Sequence, residues 1–332
     1  MLTDIIAVDD LVVVYPDGTR AVDGISFSVK EREFFGFLGP NGAGKSTTIK
    51  TLTTLLRKTS GRVSVAGYNL DESPKGIRSV IGVLSQETSL DVDLTGRGNL
   101  RLQGRLQQLH GRVLDDRVDE LLKMVQLEEV AGKPAGRYSG GMRKRLDLAS
   151  ALIHKPKLLF LDEPTTGLDT QSRAALWEYL EGLNKEEGIT IFLTTQYLEE
   201  ADRLCRELSI IDHGKLIAKG SPSELKATVG GDTITMTLKS GTDAALKSKA
   251  KEVIGTIEGI TQVMDSDGGI VAYAKDASQV IADVVMWLDR KGIRPASLSI
   301  TSPTLDDVFL QQTGRRIRSD ELSRRETEPF LM

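Results

Sequence analysis

Apolar and polar residues alternate in several rhythms along this chain, and the rhythms divide it. Ile5–Val8, Leu11–Tyr15, Ile25–Val29 and Val63–Val65 are short apolar or alternating stretches lying close together, which predicts antiparallel hairpins. Phe34–Leu38, Val80–Leu84, Leu158–Asp162, Thr190–Thr194 and Leu208–Asp212 are nearly continuous apolar runs with helical stretches between them. That pattern belongs to parallel strands buried on both faces. From residue 86 to 138 the period is helical: Leu114, Val118, Leu121, Leu122 and Val125 recur at helical spacing and make one apolar face. The expected fold is therefore α/β, a parallel core with an antiparallel β lobe and a helical lobe inserted at about 87–155.

After Lys226 the texture changes. Gly230-Gly231-Asp232 reads as a linker or turn. Thr233–Leu238, Thr261–Asp265, Ile270–Ala274 and Ser297–Ile300 read as strands, with an Asp-Gly-Gly turn at 267–269. Asp243–Ile254 and Ala277–Lys291 read as helices, the second with Ile281, Val284, Val285 and Leu288 on its apolar side. The order βαββαβ is that of a small ferredoxin-like α+β unit. It contains no metal-ligand cluster and no catalytic pair, so a regulatory or dimerising role is expected, with a purely structural role as the alternative. The expected domains are 1–228 and 229–314. The tail, 315–332, mixes five arginines with four acids and is expected to be disordered and solvated.

Composition narrows the setting. The chain has 332 residues, 39% of them apolar, enough for two cores. A net charge of −4 with mixed signs gives no footprint for nucleic acid. The single cysteine, Cys205, excludes an internal disulfide framework, fits a reducing compartment and reads as structural. Met1–Asp10 contains acids and no basic run, so it does not resemble a secretory signal. No apolar run approaches the ~18 residues of a membrane span. The expectation is a cytosolic protein, or one attached to a membrane through another.

Candidate chemistry begins at Gly39-Pro40-Asn41-Gly42-Ala43-Gly44-Lys45-Ser46-Thr47. This run matches the phosphate-binding loop, and a predicted strand precedes it while a helical stretch with Ile49 and Leu52 follows. Its glycines let backbone N–H groups turn toward an anion at a helix N-terminus. Lys45 would supply charge to the β- and γ-phosphates, and the Ser46 hydroxyl would ligate Mg²⁺. Leu158-Leu159-Phe160-Leu161 ends in Asp162-Glu163-Pro164. There Asp162 would hold Mg²⁺ and Glu163 would accept a proton from an attacking water. Between these elements lies Tyr138-Ser139-Gly140-Gly141-Met142, followed by the basic Arg143, Lys144 and Arg145. Leu146, Ala149 and Ile153 mark the apolar face of the helix it opens.

The order phosphate loop, Gln86, Ser139-Gly140-Gly141, Asp162-Glu163, Gly167-Leu168-Asp169 resembles the ATP-binding subunit of an ABC transporter, from about Asp4 to about Lys226. Thr194-Thr195-Gln196-Tyr197-Leu198-Glu199-Glu200-Ala201-Asp202 is similar to one branch, the ATP-binding subunits of daunorubicin-resistance-type exporters, and Pro303–Phe309 resembles that branch's C-terminal helix. The resemblance implies ATP and Mg²⁺ as ligands and a head-to-tail homodimer. Ser139, Gly140 and Gly141 would meet the nucleotide held by the opposite chain, and Asp169 would touch that chain. It further implies Tyr15 stacked on adenine, Gln86 near Mg²⁺ and the attacking water, and residues 87–110 facing a transmembrane permease. The chain would then sit on the cytoplasmic face of the membrane as a peripheral subunit.

Three positions depart from the family pattern. Tyr138 and Met142 flank the Ser-Gly-Gly core where Leu and Gln usually stand. Gln196 stands where a histidine usually contacts the γ-phosphate, and His110, His154 and His213 all lie elsewhere, read as surface or turn residues. A glutamine amide donates a hydrogen bond but carries no charge. Three classes follow: an exporter ATPase moving a hydrophobic drug or lipid-like compound outward, a soluble ABC-type ATPase, or a slow-turnover nucleotide-gated regulator. The intact Asp162-Glu163 pair speaks against the third. The second is disfavoured by a single nucleotide-binding half and by the 94 residues from Lys45 to Ser139, which hold no heptad run.

Overall fold

The two early apolar runs expected as separate strands form one. In the computed structural model, which describes residues 3–238, 244–266 and 269–314, β1 (Asp4–Val14) runs unbroken past Asp9 and Asp10. A bulge at that pair lets the strand continue: the pairing register shifts between Val8 and Leu11, and Asp10 takes φ 52°. β1 pairs antiparallel with β2 (Arg20–Lys30). Next come β3 (Phe34–Leu38), α1 (Lys45–Leu52), β4 (Ser60–Val65), β5 (Tyr68–Asn69) and α2 (Pro74–Val80). β6 (Ile81–Leu84) leads into α3 (Gly96–Leu106), α4 (Gly111–Met124) and α5 (Gly140–Ala151). Val80, expected to open that strand, instead closes α2.

The remaining elements of this part are β7 (Leu158–Asp162), α6 (Thr170–Lys185), β8 (Thr190–Thr195), α7 (Leu198–Leu204), β9 (Glu207–Asp212) and β10 (Lys215–Gly220). They complete a six-stranded sheet ordered β10-β9-β3-β8-β7-β6, parallel except for the β9–β10 hairpin. A second sheet, β2-β1-β4-β5, is antiparallel. Phe27 of β2 meets Phe35, Phe37 and Phe192 with ring centroids 5.4–6.0 Å apart, and Phe160 joins through Phe192 at 5.5 Å. Each of these rings is buried, which stabilises by about 1.5–3 kcal/mol apiece. Alternation decides the contact: Phe35 and Phe37 lie two apart on β3 and so share a face. On α4, the expected face of Leu114, Val118, Leu121 and Leu122 is buried.

The chain divides into two compact units with the boundary between Ser221 and Pro222. The second holds α8 (Pro222–Thr228), β11 (Thr233–Thr237), α9 (Ala244–Gly255), β12 (Ile260–Ser266), β13 (Gly269–Ala274), α10 (Ala277–Arg290), β14 (Ser297–Thr301) and α11 (Leu305–Thr313). Its sheet has the order β12-β13-β11-β14 with every pair antiparallel, which is the ferredoxin-like arrangement. Ile234, Met236, Ile270 and Ala272 of the sheet pack with Val280, Val284 and Leu288 of α10 in a core of its own. Val285, expected on the apolar side of α10, is half exposed. α11 begins with a capping box, Thr304 and Asp307 each bonding the other's backbone N–H. The turn expected at 267–269, the expected helix start at Asp243 and the tail 315–332 lie wholly or partly outside the described residues.

Candidate active site

The phosphate-binding loop joins β3 to α1, and its shape rests on residues without side chains. Gly44 caps α1 with φ 109°, and a Cβ there would lie 2.4 Å from the carbonyl oxygen of Ala21. A Cβ on Gly39 would lie 2.3 Å from the carbonyl oxygen of Ile211. Only glycine fits at either position. The loop edges a cavity of about 720 Å³. Asn41, Gly42, Gly44, Lys45, Ser46 and Thr47 line one side, while Tyr15, Gln86, Glu163 and Gln196 come from four other segments.

Charge is concentrated at the loop. The Lys45 ammonium donates to the carbonyls of Gly39 (2.8 Å) and Pro40 (3.0 Å) and pairs with Glu163 Oε1 at 3.0 Å. Lys45 is 3% exposed and Glu163 7% exposed, so removing either partner would leave a buried charge unpaired. The next residues along each strand–loop junction also meet. Ser46 Oγ donates to Asp162 Oδ1 at 3.1 Å, and the Thr194 hydroxyl donates to the same oxygen at 2.6 Å. Glu163 takes φ 48°, a conformation rare outside glycine. Its N–H donates to the carbonyl of Thr194 at 3.1 Å, and Thr166 Oγ1 lies 3.4 Å from its Oε2. Strain of this kind costs about 1–3 kcal/mol and collects where geometry serves chemistry.

A glycine-shaped loop at a helix N-terminus, a buried ammonium and two carboxylates match a Mg-nucleotide in chemistry. Gln196 Oε1, an acceptor, is buried in this region with no hydrogen-bond partner among the described residues, so it has capacity for a donor such as a water. The Tyr15 hydroxyl shares a 3.1 Å hydrogen bond with Thr47 Oγ1 at the cavity's edge. Gly39, Pro40 and Ala43 shape the loop without lining the cavity, and Asp162 lies beneath it. Ser139–Gly141 and Asp169 stand outside the cavity, each at the start of a helix. Ser139 Oγ accepts from the N–H of Met142 at 3.2 Å and caps α5; Asp169 accepts from the N–H of Ser172 at 2.9 Å and caps α6. That bond is the main reason the Asp169 carboxyl titrates below its usual range.

Five more residues line the cavity: Thr19, Ala21, Thr166, Gly167 and Tyr197. Gly167 and Tyr197 belong to motifs already quoted, and Thr166 adjoins one, which is the available signal; Thr19 and Ala21 carry none. Behind Tyr197, the Arg173 guanidinium lies 4.6 Å from the ring centre. Glu200, fully buried in α7, accepts from Trp177 Nε1 at 2.9 Å, and burial pushes its carboxyl up.

The fold and the cavity define a phosphate-loop nucleotide-binding cassette. Comparison with known proteins bears this out. Residues 22–166 match the ABC transporter family and residues 220–313 match the family described as ATP-binding protein DrrA1-3-like, C-terminal domain. The daunorubicin resistance ATP-binding protein DrrA2 of Streptomyces coeruleorubidus is 41% identical over 91% of this chain and 93% of its own length. The doxorubicin resistance ATP-binding protein DrrA of Mycobacterium tuberculosis is 38% identical over 92% of this chain and 94% of its own. Among solved structures, cbiO1 from Clostridium perfringens, part of the transporter complex cbiONQ, superposes with TM-score 0.63 at 32% identity, over 68% of this chain and 91% of that one. The dimeric cassette MJ0796 bound to ADP and Pi gives TM-score 0.60 at 26% identity, over 65% of this chain and 98% of that one. The chain belongs to the ATP-binding proteins of ABC transporters, in the DrrA-like branch. It is an ATPase subunit of an exporter, and nothing favours the soluble-ATPase or regulatory alternative. Among the described residues no helix is long and apolar enough to cross a membrane.

Proposed function

We propose that this chain hydrolyses Mg-ATP with Glu163 as general base and drives a separate transmembrane permease as one half of a head-to-tail homodimer. The convergence of Lys45, Ser46, Asp162, Glu163, Gln86 and Gln196 on the phosphate loop carries the reading. The triphosphate lies on the N–H groups of 39–47, with the adenine against Tyr15. Ser46, Gln86 and Asp162 would hold Mg²⁺, which would supply positive charge to neutralise the phosphates. A phosphate draws the Lys45 ammonium away from Glu163, and the released carboxylate takes the proton of the attacking water. Gln196 donates its amide N–H to the γ-phosphate.

Ser139, Gly140 and Gly141 present the N-terminus of α5 to the nucleotide of the opposite chain, and Asp169 contacts that chain. The dimeric state of the MJ0796 cassette supports this arrangement. Residues 87–110 dock the permease at the cytoplasmic face of the membrane. The cargo is a hydrophobic drug or lipid-like compound moved outward, a reading supported by relatives named for daunorubicin, doxorubicin and linearmycin resistance.

Light scattering of Glu163→Gln with and without Ser139→Arg tests the assembly. Glu163→Gln should form an ATP-dependent dimer. Adding Ser139→Arg should abolish the dimer and change ATP affinity of the monomer less than about twofold, because the hydroxyl serves the opposite nucleotide. A double variant that still dimerises with ATP removes Ser139 from that role.

A further inference from the structure

α5 opens at Ser139, and one turn further on it grips a different part of the same chain. The Lys144 ammonium donates to the carbonyl oxygen of Ser85 at 3.0 Å and to that of Gln86 at 3.4 Å. Three residues later, Asp147 Oδ1 accepts from the N–H of Ser89 at 3.2 Å and from its hydroxyl at 3.0 Å. Asp147 is buried, and the Lys144 stem is sheltered enough that burial lowers its ammonium's affinity for the proton, opposed by the charges of Asp147 and Asp162. Residues 85–89 carry no helix or strand of their own, since β6 ends at Leu84 and α3 begins at Gly96. Yet this segment carries Gln86 to the wall of the cavity. One helical turn thus holds it at both ends, by a cation on two carbonyls and by a carboxylate on an N–H and a hydroxyl.

We propose that Lys144 and Asp147 form a clasp that positions Gln86, so that the helix headed by Ser139 and the glutamine in the same chain's own site move as one body. The proposal rests on the reading of the cavity as a Mg-ATP site and of Ser139 as the contact to the partner's nucleotide. Neither residue touches the cavity; each acts through the backbone of 85–89. Under that reading, engagement of Ser139 by one nucleotide settles Gln86 at the other, and the two sites are linked by a short rigid path rather than by the whole helical lobe.

Steady-state kinetics of the full chain test it, with affinity for a fluorescent ATP analogue and melting temperature measured alongside. Lys144→Met should lower kcat about tenfold while KM for ATP changes less than about twofold, the signature of lost transition-state positioning. Lys144→Arg should restore most of the rate, since a guanidinium also presents donors to the two carbonyls. Ser89→Ala, a small change that spares the fold, should lower kcat by about threefold. In a Gln86→Ala background Lys144→Met should cost nothing further, because the effect is spent once its target is gone. Unchanged kcat in both Lys144→Met and Ser89→Ala, or a full extra loss on top of Gln86→Ala, overturns the clasp. If Lys144→Met lowers the melting temperature sharply, Ser89→Ala and its combination with Gln86→Ala decide in the same way. A wild-type chain that binds the analogue but hydrolyses no ATP overturns the reading beneath the proposal, and the proposal with it. Wild-type turnover with silent clasp variants overturns the clasp alone.

Discussion

Gln196 separates this site from one that titrates. It lines the cavity with a buried, unpartnered Oε1, on the loop that follows β8. No imidazole stands there, so turnover at saturating Mg-ATP should show no limb near the usual histidine value of about 6.5. Gln196→Ala should slow turnover by roughly 1–3 kcal/mol of barrier through the loss of one donor to a charged phosphate. Gln196→His should add the limb. The pH–rate profiles of the three proteins check this, and an unchanged rate in Gln196→Ala would make the glutamine a bystander. Gln196 and Glu163 are legible because short motifs surround them. Thr194 on Asp162 and Lys144 on Ser85 are not, because their partners lie 32 and 59 residues away; the pairing of β7 with β8 brings the first pair together and the packing of α5 beside β6 the second.

At the scale of elements, local rhythm was enough for most strands and for α4, and it failed where a turn was unusual. The strand β10 follows a His213-Gly214 hairpin turn whose two residues take φ 46° and 77°, a conformation that Asn-Gly or Asp-Gly would have advertised. β1 reads as two strands because its bulge interrupts the alternation. His154 shows what elements do to a residue read as surface or turn. It sits in the turn after α5, and its Nε2 donates to the carbonyl of Ile81 at 2.9 Å, fastening that turn to β6. Arg117 of α4 donates to the carbonyls of Leu152 (2.7 Å) and Ile153 (3.3 Å) in the same turn. Burial first, and then the Arg117 charge, hold the His154 pKa below the usual 6.5, against the opposing bond to Ile81. The unfolded chain therefore binds the proton first as pH falls, and stability declines below about 6.5 until the folded-state imidazole also titrates. Chemical denaturation at pH 7.5, 6.5 and 5.5 should show this decline, and His154→Gln, which keeps a donor, should flatten it. An identical slope in the variant would assign the decline to other groups.

For the whole molecule, the division falls between Ser221 and Pro222, so α8 groups with the second unit, where it packs with α11. Every cavity residue and both sheets of the nucleotide-binding part precede that boundary. A chain ended at Ser221 should be soluble and bind ATP with an affinity within about threefold of the full chain, since no lining residue is lost. Gel filtration and analogue titration check it, and an aggregated product would show that the second unit completes the first core. The ferredoxin-like order of the second unit was legible in its βαββαβ rhythm, whereas its role has no chemical motif to reveal it. The decisive observation is to measure ATP bound and ATP hydrolysed in one preparation of Glu163→Gln. A glutamine amide oxygen can still accept from the Lys45 ammonium, which stands 3.0 Å from Glu163 Oε1, but it cannot accept the proton of the attacking water. Binding should persist at wild-type strength or tighter while turnover falls by about 10²–10⁴-fold; wild-type turnover in the variant would contradict Glu163 as the base and, with it, the mechanism built on this cavity.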